Sequence, residues 1–509
     1  MDSGSSETDW NSNSEFFKFT RGRFIVDEAE NLRKREIRFD LNRLARVAAD
    51  SIGAARCVDI KKYPDGMFNK AFLMSMDDGR EIIAKVPNPN AGVPHYTTAS
   101  EVATMDFARR ILDTPAPRVY AWNSQAETHP VGAEFIIMDK VEGVPLSQVW
   151  GTMKLTQKLQ VLLAMARLQK RWLSVSFSHY GSLYYKGDVQ PPEGSHYIKD
   201  GKAVGDSEFV IGLSTGRDWC DAGRSILDVD KGPWASLMQF LQAVGMREMK
   251  AIQCLKAPKQ LALFCGPNLY RPDTGNKRTA LAYYQQVLDA LIPKDTAITK
   301  PYLWHNDLHN DNVFVDPDNP GTITGIIDWQ STHISPLFNH NIDPAFLDWD
   351  GLEPETLDPA PRPALSGLTP EERSAAVQEY TIQNVLIAWR KLMQAKNPDL
   401  YRTIEFRKTT ADTWADLPAV TSDVPFPFNF SEADYERIKE DSDDAVAGTE
   451  LVAEAKERLG DLWPDKGFIE HERYHDCKTA LDEVKGLILK QLAETDEERA
   501  EYERYWPFD

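Results

Sequence analysis

One stretch of the sequence, residues 301–330, combines imidazole, carboxylate and amide side chains at a spacing that suits phosphoryl transfer. His305, Asp307 and Asn312 form the pattern His-x-Asp-x-x-x-x-Asn. A transferring phosphoryl group needs positioning and charge neutralisation more than covalent chemistry. We therefore expect Asp307 to accept the proton of an attacking hydroxyl. His305, the second candidate catalytic residue, is expected to support the loop by hydrogen bonding rather than to react.

The same stretch offers two oxygen ligands for a magnesium ion. Mg²⁺ prefers hard oxygen ligands and keeps several of its waters, so one or two protein ligands are enough. The amide oxygen of Asn312 and the carboxylate of Asp328 are the candidates. We expect them to hold Mg²⁺ against the phosphates of a nucleotide.

Two apolar runs must position these side chains. Val313–Val315 and Ile323–Ile327 read as short strands joined by a turn that contains proline and glycine. The first strand is entered through the loop that carries the histidine pattern, and the second ends at Asp328. The pairing of the two strands would bring the two ends of the stretch side by side.

This stretch resembles a known superfamily. The string HNDLHNDNVFV followed by IIDW is similar to the aminoglycoside phosphotransferase and choline kinase superfamily, which shares its fold with protein kinases. Residues 60–150 and 205–235 are more similar to a fungal branch, the altered inheritance of mitochondria protein 9-like proteins. The resemblance covers most of the chain from about residue 20. It implies ATP as donor, transfer of the γ-phosphoryl to a hydroxyl of a small molecule, and a kinase-like fold.

The expected fold class is α+β, protein-kinase-like and two-lobed. We expect a polar N-terminal tail over residues 1–39, and we expect residues 1–20 to be disordered or loosely docked because they are polar and acidic. A small β-rich N-lobe would follow at 40–141. A large, mainly helical C-lobe would occupy 142–509, with the catalytic loop at 303–330 and ATP between the lobes.

Three strands open the expected N-lobe, and the turn between the first two resembles a kinase nucleotide lid. The strands are expected at 57–62, 68–76 and 81–86. The turn departs from the kinase pattern G-x-G-x-x-G because it keeps only Gly66. The superfamily often uses a loop that ends in asparagine instead, and Phe68 and Asn69 fit that loop. Without the resemblance, the segment predicts only a hairpin.

The resemblance also implies residues that hold the nucleotide. Lys85 would contact the α- and β-phosphates, and Glu101, on a predicted helix, would hold this lysine in place. Met138 would line the inner wall of the nucleotide site. Backbone groups from Asp139 to Val141 would meet the adenine edge. The plainer interpretations are a surface lysine with a glutamate favoured by the helix dipole, and an ordinary core strand.

Composition excludes several partner classes. The chain has 509 residues and a net charge of −20, which argues against nucleic acid and anionic membranes as main partners. No apolar run approaches the length of a membrane span. The five cysteines form no Cys-x-x-Cys pair, which suggests a reducing compartment. Nothing in the sequence predicts an oligomeric state.

The start of the chain favours a cytoplasmic location. Mitochondrial transit peptides are rich in arginine and poor in acidic residues. Here Asp2, Glu7, Asp9 and Glu15 precede the first arginine, Arg21. We therefore expect a cytoplasmic protein, with the mitochondrion as the second possibility that the fungal branch suggests.

A second motif competes for the functional assignment. His471 and His475 match the pattern His-Glu-x-x-His, which on a helix binds zinc in peptidases. The following residues from Tyr474 to Leu492 carry apolar side chains at helical spacing, which indicates a face that packs on the body of the protein. We expect His471 to be a packing residue of that face rather than a zinc ligand.

The acceptor and the overall role are open to several hypotheses. Residues 212–218 resemble a phosphate loop but lack its Gly-Lys-Ser/Thr ending, so we expect an ordinary loop. Trp304, Trp329 and Trp349 could form part of a cage for a quaternary amine, although core packing is favoured. A protein kinase is disfavoured because Asp328 is followed by Trp329 and Gln330 instead of Phe-Gly. A non-catalytic scaffold in mitochondrial maintenance is the remaining hypothesis.

The rest of the C-lobe is expected to be helical with one irregular region. Residues 176–233 are rich in glycine, proline and tyrosine and indicate irregular structure. Thr369, Pro370 and Glu372 form a capping box with proline at the first helical position, so a helix should run from there to about Lys396. Further helices are expected at 40–52, 155–172, 234–256, 278–292 and within 431–505.

Overall fold

The structure is a computed structural model. It describes residues 8–205, 208–257, 259–347, 349, 351, 353–413, 428 and 430–508. In chain order the strands are β1 (Gly22–Phe24), β2 (Cys57–Lys62), β3 (Asn69–Met76), β4 (Glu81–Pro87), β5 (Val119–Asn123), β6 (Phe135–Asp139), β7 (Val144–Pro145), β8 (Val175–Phe177), β9 (Ser182–Tyr185), β10 (Tyr197–Lys199), β11 (Lys202–Val204), β12 (Phe209–Gly212), β13 (Pro301–Trp304), β14 (Val313–Val315), β15 (Ile323–Ile326), β16 (His333–Pro336) and β17 (Phe468–Glu470).

The helices, in the same order, are α1 (Glu28–Arg33), α2 (Leu41–Ile52), α3 (Tyr96–Arg110), α4 (Ser147–Trp150), α5 (Leu155–Leu173), α6 (Arg217–Cys220), α7 (Leu237–Cys254), α8 (Thr274–Leu291), α9 (Thr296–Thr299), α10 (Pro370–Lys396), α11 (Pro398–Thr413), α12 (Glu432–Leu459), α13 (Tyr474–Leu492) and α14 (Asp496–Tyr505).

A five-stranded antiparallel sheet forms the small lobe, in the order β2-β3-β4-β6-β5. Side chains alternate along β3, with Phe72, Met74 and Met76 buried, as the twofold repeat of a strand requires. They face α2, whose apolar stripe includes Leu41 and Leu44. The α+β fold class, with a small β-rich lobe, is therefore confirmed.

The cap and the turn at the two ends of this unit follow from the sequence. The side chain of Asp40 accepts a hydrogen bond from the backbone N–H of Arg43 and caps α2. Between β3 and β4, Gly79 adopts φ +86°, a left-handed conformation that suits glycine in a tight hairpin. The cap fixes the start of α2. The turn sets the register between β3 and β4, the strand that carries Lys85.

The large lobe is centred on three buried tryptophans. The ring of Trp172, on α5, lies 5.0 Å from that of Trp304 and 6.1 Å from that of Trp329. All three side chains are almost completely buried. They pack α5 against β13 and against the end of β15, so the strands around the histidine pattern are fixed by a rigid aromatic core. Core packing of Trp304 and Trp329 is thus confirmed, and neither belongs to a ligand cage.

The expectation of a disordered or loosely docked segment over residues 1–20 is wrong for the part that the structure describes; residues 1–7 lie outside it. Phe17 and Phe24 are almost fully buried, and β1 pairs with β17 near the other end of the chain. The polar composition of the first twenty residues concealed a set of phenylalanines whose burial offsets the entropy of ordering the segment. The N-terminal segment is therefore part of the small lobe's wall.

Two further expectations about the large lobe can be compared with the structure. The irregular region at 176–233 contains five short strands, β8 to β12, because its apolar residues pair locally in small sheets. The capping box is confirmed, since the Thr369 hydroxyl and the Glu372 carboxylate each bond the other's backbone N–H and α10 ends at Lys396. No helix in the described ranges has the length and apolar character that crossing a bilayer requires.

Candidate active site

The loop that carries the histidine pattern is held by the pairing of β14 with β15. The strands run antiparallel with Val313 opposite Ile326. Beyond the strand ends, the backbone N–H of Ile327 donates to the carbonyl oxygen of Asn312 at 3.0 Å. This bond places Asn312 beside Asp328, the residue after Ile327. Asp328 has φ +60°, an unusual conformation for a residue with a side chain, and one that is found at functional sites.

His305 lies at the base of the loop and is buried. One ring nitrogen, Nε2, contacts the carbonyl oxygen of Ile327 at 2.9 Å, while Nδ1 accepts from the backbone N–H of Asp307 at 3.3 Å. Burial lowers the pKa of His305 below its usual range, so the ring is neutral and donates from Nε2. The side chain connects the loop to the end of β15 and does not face the solvent.

Asp307 points outward, with 67% of its side chain exposed. Its neighbour Asn312 is buried and donates from Nδ2 to the backbone oxygen of Asp307 at 2.9 Å. That bond fixes the amide so that Oδ1 is the atom left for a cation. The arrangement offers an accessible carboxylate for an incoming hydroxyl and a fixed amide oxygen beside Asp328 for a metal.

Lys85 connects the two lobes. Its Nζ lies 2.6 Å from Oε1 of Glu101 on α3 and 2.8 Å from Oδ1 of Asp328. Lys85 is 6% exposed and Glu101 is 2% exposed. Burial by itself would lower the pKa of Lys85, but the carboxylates of Asp328 and Glu101 raise it to about 12. The lysine is therefore a fixed positive charge at the junction of the lobes.

The two carboxylates that share Lys85 differ in their own pKa. Burial raises the pKa of Glu101, and its second oxygen, Oε2, has no hydrogen-bond partner among the described residues. Burial also acts to raise the pKa of Asp328, but the positive charges of Lys85 and Arg217 bring it below its usual value. Asp328 is thus kept ionised, as a ligand for Mg²⁺ must be. Asn312 and Asp328 fit the expected metal site in donor type and placement.

The expected nucleotide lid is a tight turn at the tip of β2 and β3. The backbone N–H of Gly66 donates to the carbonyl oxygen of Asn69 at 3.2 Å, which closes the turn around Phe68. The Asn69 side chain exchanges two hydrogen bonds with that of Gln330, two residues beyond Asp328. The turn is therefore held over the end of the large lobe that carries Asp328.

Met138 and Asp139, which are expected near adenine, lie on β6, and Val141 follows that strand. Met138 pairs with Ile83 and is partly buried, as an inner wall requires. The backbone N–H of Asp139 donates to the carbonyl oxygen of Arg118 at 2.9 Å. This N–H is therefore not available to adenine, and the backbone contacts expected from the rest of the segment stay a prediction. The side chain of Val141 packs close to Gly325 on β15, which brings the segment after β6 to the edge of the cleft.

Two residues of the site have no obvious signal in the sequence. Gln330 pairs with a side chain 261 positions away, and no local pattern predicts such a contact. Arg217 lies in the segment expected to be an ordinary loop, and its guanidinium carbon is 3.1 Å from the centre of the Phe68 ring. Only the resemblance of residues 205–235 to the fungal branch indicated that this region is distinctive.

The competing zinc motif does not lie on a single helix. His471 occupies a 3₁₀ turn, and α13 begins at Tyr474, so His475 falls in its first turn. The amphipathic face of α13 is confirmed, with Cys477 and Leu481 buried. His471 is exposed, so the expectation that it packs on this face is wrong. Within the described ranges, no cluster of three or more His, Cys, Asp or Glu side chains is placed to hold a metal ion.

Comparison with protein families supports the resemblance inferred from the sequence. Residues 239–339 match the family model described as the phosphotransferase enzyme family. This range contains all four residues of the loop: His305, Asp307, Asn312 and Asp328. The similarity to aminoglycoside phosphotransferases is therefore confirmed over the segment that carries the candidate chemistry.

Curated relatives are fungal. A subtelomeric hrmA-associated cluster protein of Aspergillus fumigatus is 34% identical over 59% of this chain and 63% of its own length. The altered inheritance of mitochondria protein 9, mitochondrial, of Lachancea thermotolerans is 25% identical over 56% of this chain and 50% of its own length. The chain thus spans between half and two thirds of these relatives.

Solved structures with a similar fold include a putative aminoglycoside phosphotransferase from Ralstonia eutropha. It is 14% identical, with a TM-score of 0.40, over 82% of this chain and 99% of its own. A ternary complex of an aminoglycoside phosphotransferase with streptomycin and ATP is 13% identical, with a TM-score of 0.34. That match covers 80% of this chain and 97% of the solved one.

Proposed function

We propose that this protein is an ATP-dependent phosphotransferase that moves the γ-phosphoryl group of ATP to a hydroxyl of a small molecule. The observation that carries the proposal is the contact of Lys85 with both Glu101 and Asp328, at 2.6 and 2.8 Å. A lysine from the small lobe and an aspartate from the large lobe meet only where the lobes face each other. That junction is where a nucleotide would bind in a kinase-like fold.

Each residue of the site has a proposed role that its geometry supports. Lys85 would bind the α- and β-phosphates, and Glu101 keeps its ammonium group in place. Asp307, which is exposed, would accept the proton of the acceptor hydroxyl, while buried His305 holds the loop in shape. These contacts would act by positioning and charge, as phosphoryl transfer requires.

A magnesium ion would be held by Asn312 and Asp328. It would supply positive charge against the phosphate oxygens, which weakens the bond to the leaving group. Asn312 Nδ2 is committed to the backbone of Asp307, so the amide presents its oxygen, and Asp328 is kept ionised by its cationic neighbours. The remaining ligands of the ion would be waters and phosphate oxygens.

A small-molecule acceptor is supported by the segment that follows Asp328. Trp329 is 1% exposed, its indole N–H donates to the carbonyl oxygen of Ile326, and its ring packs on that of His305. A segment anchored in this way does not swing out to form a platform for a protein substrate. The fixed site favours a small hydroxyl compound of the aminoglycoside or choline type.

The location of the protein is a separate proposal. The names of several relatives include the word mitochondrial, which supports the mitochondrion over the cytoplasmic expectation. Fluorescent tagging at the C-terminus, with protease protection of isolated organelles, would test it. A signal spread evenly through the cytosol would favour the expectation from the N-terminal composition.

Nucleotide binding is the first test of the enzymatic proposal. We expect Mg²⁺-ATP at 100 times its dissociation constant to stabilise the wild-type protein by about 2.7 kcal/mol in a thermal-shift titration. Lys85→Ala should lose most of this gain. Lys61→Ala is the matched control, because Lys61 forms an exposed pair with Asp59 on β2 of the same sheet.

The acceptor would then be sought by ATP consumption against aminoglycosides, choline, ethanolamine and sugars. The absence of a thermal shift with millimolar Mg²⁺-ATP would contradict the proposal that this protein binds the nucleotide. Binding without consumption of ATP across the screen would favour the scaffold hypothesis, in which the site is kept without turnover.

A further inference from the structure

Arg217 is the first residue of α6 and follows a firmly anchored loop that leaves β12. This loop includes Thr215, which is fully buried and whose backbone N–H donates to the hydroxyl of Ser182 at 3.0 Å. After Arg217, the Asp218 carboxylate accepts from the guanidinium of Arg247, and Trp219 packs at 4.9 Å from Trp234. The backbone of Arg217 is therefore held on both sides, and its side chain is presented in a fixed direction.

The guanidinium of Arg217 faces the nucleotide lid. Its central carbon lies 3.1 Å from the centre of the Phe68 ring, and Nη1 donates to the carbonyl oxygen of Ala91 at 2.9 Å. Nε is 3.6 Å from a carboxylate oxygen of Asp221. Nη2 is buried and has no hydrogen-bond partner among the described residues. One edge of the planar guanidinium group thus has no hydrogen-bond partner among the described residues, and the lid shields it from water.

A buried donor without a partner is destabilising, and more so when it is charged. The natural partner of a free guanidinium edge is an anion with several oxygens, such as a phosphoryl group. Two more side chains, in segments that adjoin the lid, are also unsatisfied among the described residues. They are the amide of Asn88, whose backbone N–H donates to the carbonyl oxygen of Phe68, and the hydroxyl of Ser331, next to Gln330.

Arg217 belongs to the same site as the two candidate acids. The lid that covers Arg217 through Phe68 is tied through Asn69 to Gln330, two residues beyond Asp328. Burial lowers the pKa of Arg217, whereas the negative charges of Asp221, Asp328 and Asp307 oppose that effect, so both candidate acids act on the arginine. Arg217 therefore contacts the same lid that reaches the candidate metal ligand.

We propose that Arg217 binds the transferring phosphoryl group, with Nη2 donating to one of its non-bridging oxygens when the lid is closed. The proposal rests on the function proposed above and adds to it. The bond from the γ-phosphorus to the bridging oxygen of ADP breaks, and a bond to the acceptor oxygen forms. The acceptor proton goes to Asp307, and Arg217 keeps its proton throughout. Its positive charge balances charge that builds up on the oxygens of the transferring group.

The role can be tested with a mimic of the transferring group. Calorimetry would measure the affinity for Mg²⁺-ADP alone and for Mg²⁺-ADP with aluminium fluoride, in the wild type, Arg217→Gln and Arg217→Lys. We expect aluminium fluoride to tighten binding by the wild type. Arg217→Gln should keep its affinity for Mg²⁺-ADP within about threefold but lose most of the tightening. Its turnover should fall by about 10² to 10³, the usual cost of removing one such donor.

Arg38→Gln is the matched control, because Arg38 also lies over an aromatic ring, that of Phe17, on an exposed part of the small lobe. It should behave as the wild type. Arg217→Lys keeps the positive charge but lacks the planar guanidinium group, so it should recover part of the tightening of Mg²⁺-ADP binding by aluminium fluoride. That partial recovery would distinguish a phosphoryl contact from a purely structural role.

The outcomes that contradict this inference differ from those that contradict the proposed function. A wild type that does not bind Mg²⁺-ADP would remove the proposed function and this role with it. If the wild type binds Mg²⁺-ADP, an unchanged aluminium fluoride effect in Arg217→Gln, or no such effect in the wild type, would overturn the role of Arg217 alone. A change confined to the KM for the acceptor would also overturn it.

Discussion

Asn69 and Gln330 form a reciprocal amide pair that closes the lid over the large lobe. Nδ2 of Asn69 donates to Oε1 of Gln330 at 3.0 Å, and Nε2 of Gln330 donates to Oδ1 of Asn69 at 3.2 Å. One residue ends the turn of the small lobe, and the other follows Asp328 directly after Trp329. The position of the lid is thereby coupled to the candidate metal ligand through side chains that do no chemistry themselves.

The first prediction concerns this pair. Asn69→Ala and Gln330→Ala should each weaken Mg²⁺-ATP binding by several-fold, because the closed lid loses its contact with the large lobe. The double variant should be little worse than either single variant, since a residue without its partner has nothing left to lose. Calorimetric affinities for all four proteins would give the coupling free energy, which we expect to be about 0.5–3 kcal/mol. Strictly additive losses would show that the pair does not hold the lid.

The second prediction separates the two acids of the large lobe. Asp307→Asn should retain its affinity for Mg²⁺-ATP and lose turnover by about 10² to 10⁴, the usual contribution of positioned proton transfer. Asp328→Asn should lose turnover and also weaken the magnesium-dependent part of ATP binding, because a neutral amide is a poorer ligand for Mg²⁺ than a carboxylate.

Calorimetry with and without Mg²⁺, together with turnover on the acceptor found by screening, would test this division. Asp311→Asn is a suitable control, since Asp311 is an exposed acid on the same loop. Identical profiles for the two variants, or full turnover in Asp307→Asn, would show that the roles are assigned wrongly.

The third prediction concerns a buried charge cluster beneath the lid. Asp65 and Lys70 are fully buried, and their charged groups are 2.9 Å apart. Asp65 also accepts from Lys62 at 2.6 Å and from the backbone of Thr20 at 2.8 Å, which ties the N-terminal segment to the lid. Asp65→Asn would leave two ammonium groups near a neutral amide. We expect a loss of about 3–5 kcal/mol in the free energy of unfolding at pH 7.

The effect of pH on this variant has a definite sign. In Asp65→Asn, Lys70 is a buried base without a counter-ion, so its pKa in the folded protein falls below the unfolded value of about 10.4. The unfolded state then binds more protons at neutral pH, and stability rises as the pH is raised towards 10. The loss in the free energy of unfolding of Asp65→Asn, relative to the wild type, should therefore be smaller at pH 9.5 than at pH 7.

In the wild type the same cluster makes the protein sensitive to acid. Burial acts to raise the pKa of Asp65, but Lys62 and Lys70 bring it below its usual value. The stability it contributes is present above the unfolded pKa of about 3.9 and is lost as the pH falls through the folded pKa. Denaturant unfolding at several pH values would measure both effects. Asp50→Asn, at an exposed pair with Arg46, should cost no more than about 1 kcal/mol at any pH.

The fourth prediction concerns zinc. His471 and His475 are both exposed and lie in different helical segments. Treatment with a zinc-selective chelator in the presence of excess Mg²⁺, and separately His475→Ala, should leave the melting temperature and ATP turnover unchanged. Elemental analysis that finds near-stoichiometric zinc, lost in His475→Ala, would instead make this motif the functional site.

The sequence by itself determined the local parts of this protein. The alternation of apolar residues predicted β2, β3 and β4 to within a residue or so, and the capping box predicted the start of α10. The histidine pattern and the two strands beside it could also be predicted, because a hairpin pairs residues that are close in the chain. Such features depend on interactions between neighbours, which the order of residues states directly.

Only the tertiary structure decided which distant residues meet. Gln330 lies against Asn69, Arg217 lies over Phe68, and the aromatic N-terminal segment packs against the small lobe instead of forming a loose tail. Each contact joins segments far apart in sequence, so neither partner carries a local pattern that predicts the other. They form because the packing of the two lobes brings the segments together, and the free energy of burying the core sets that packing.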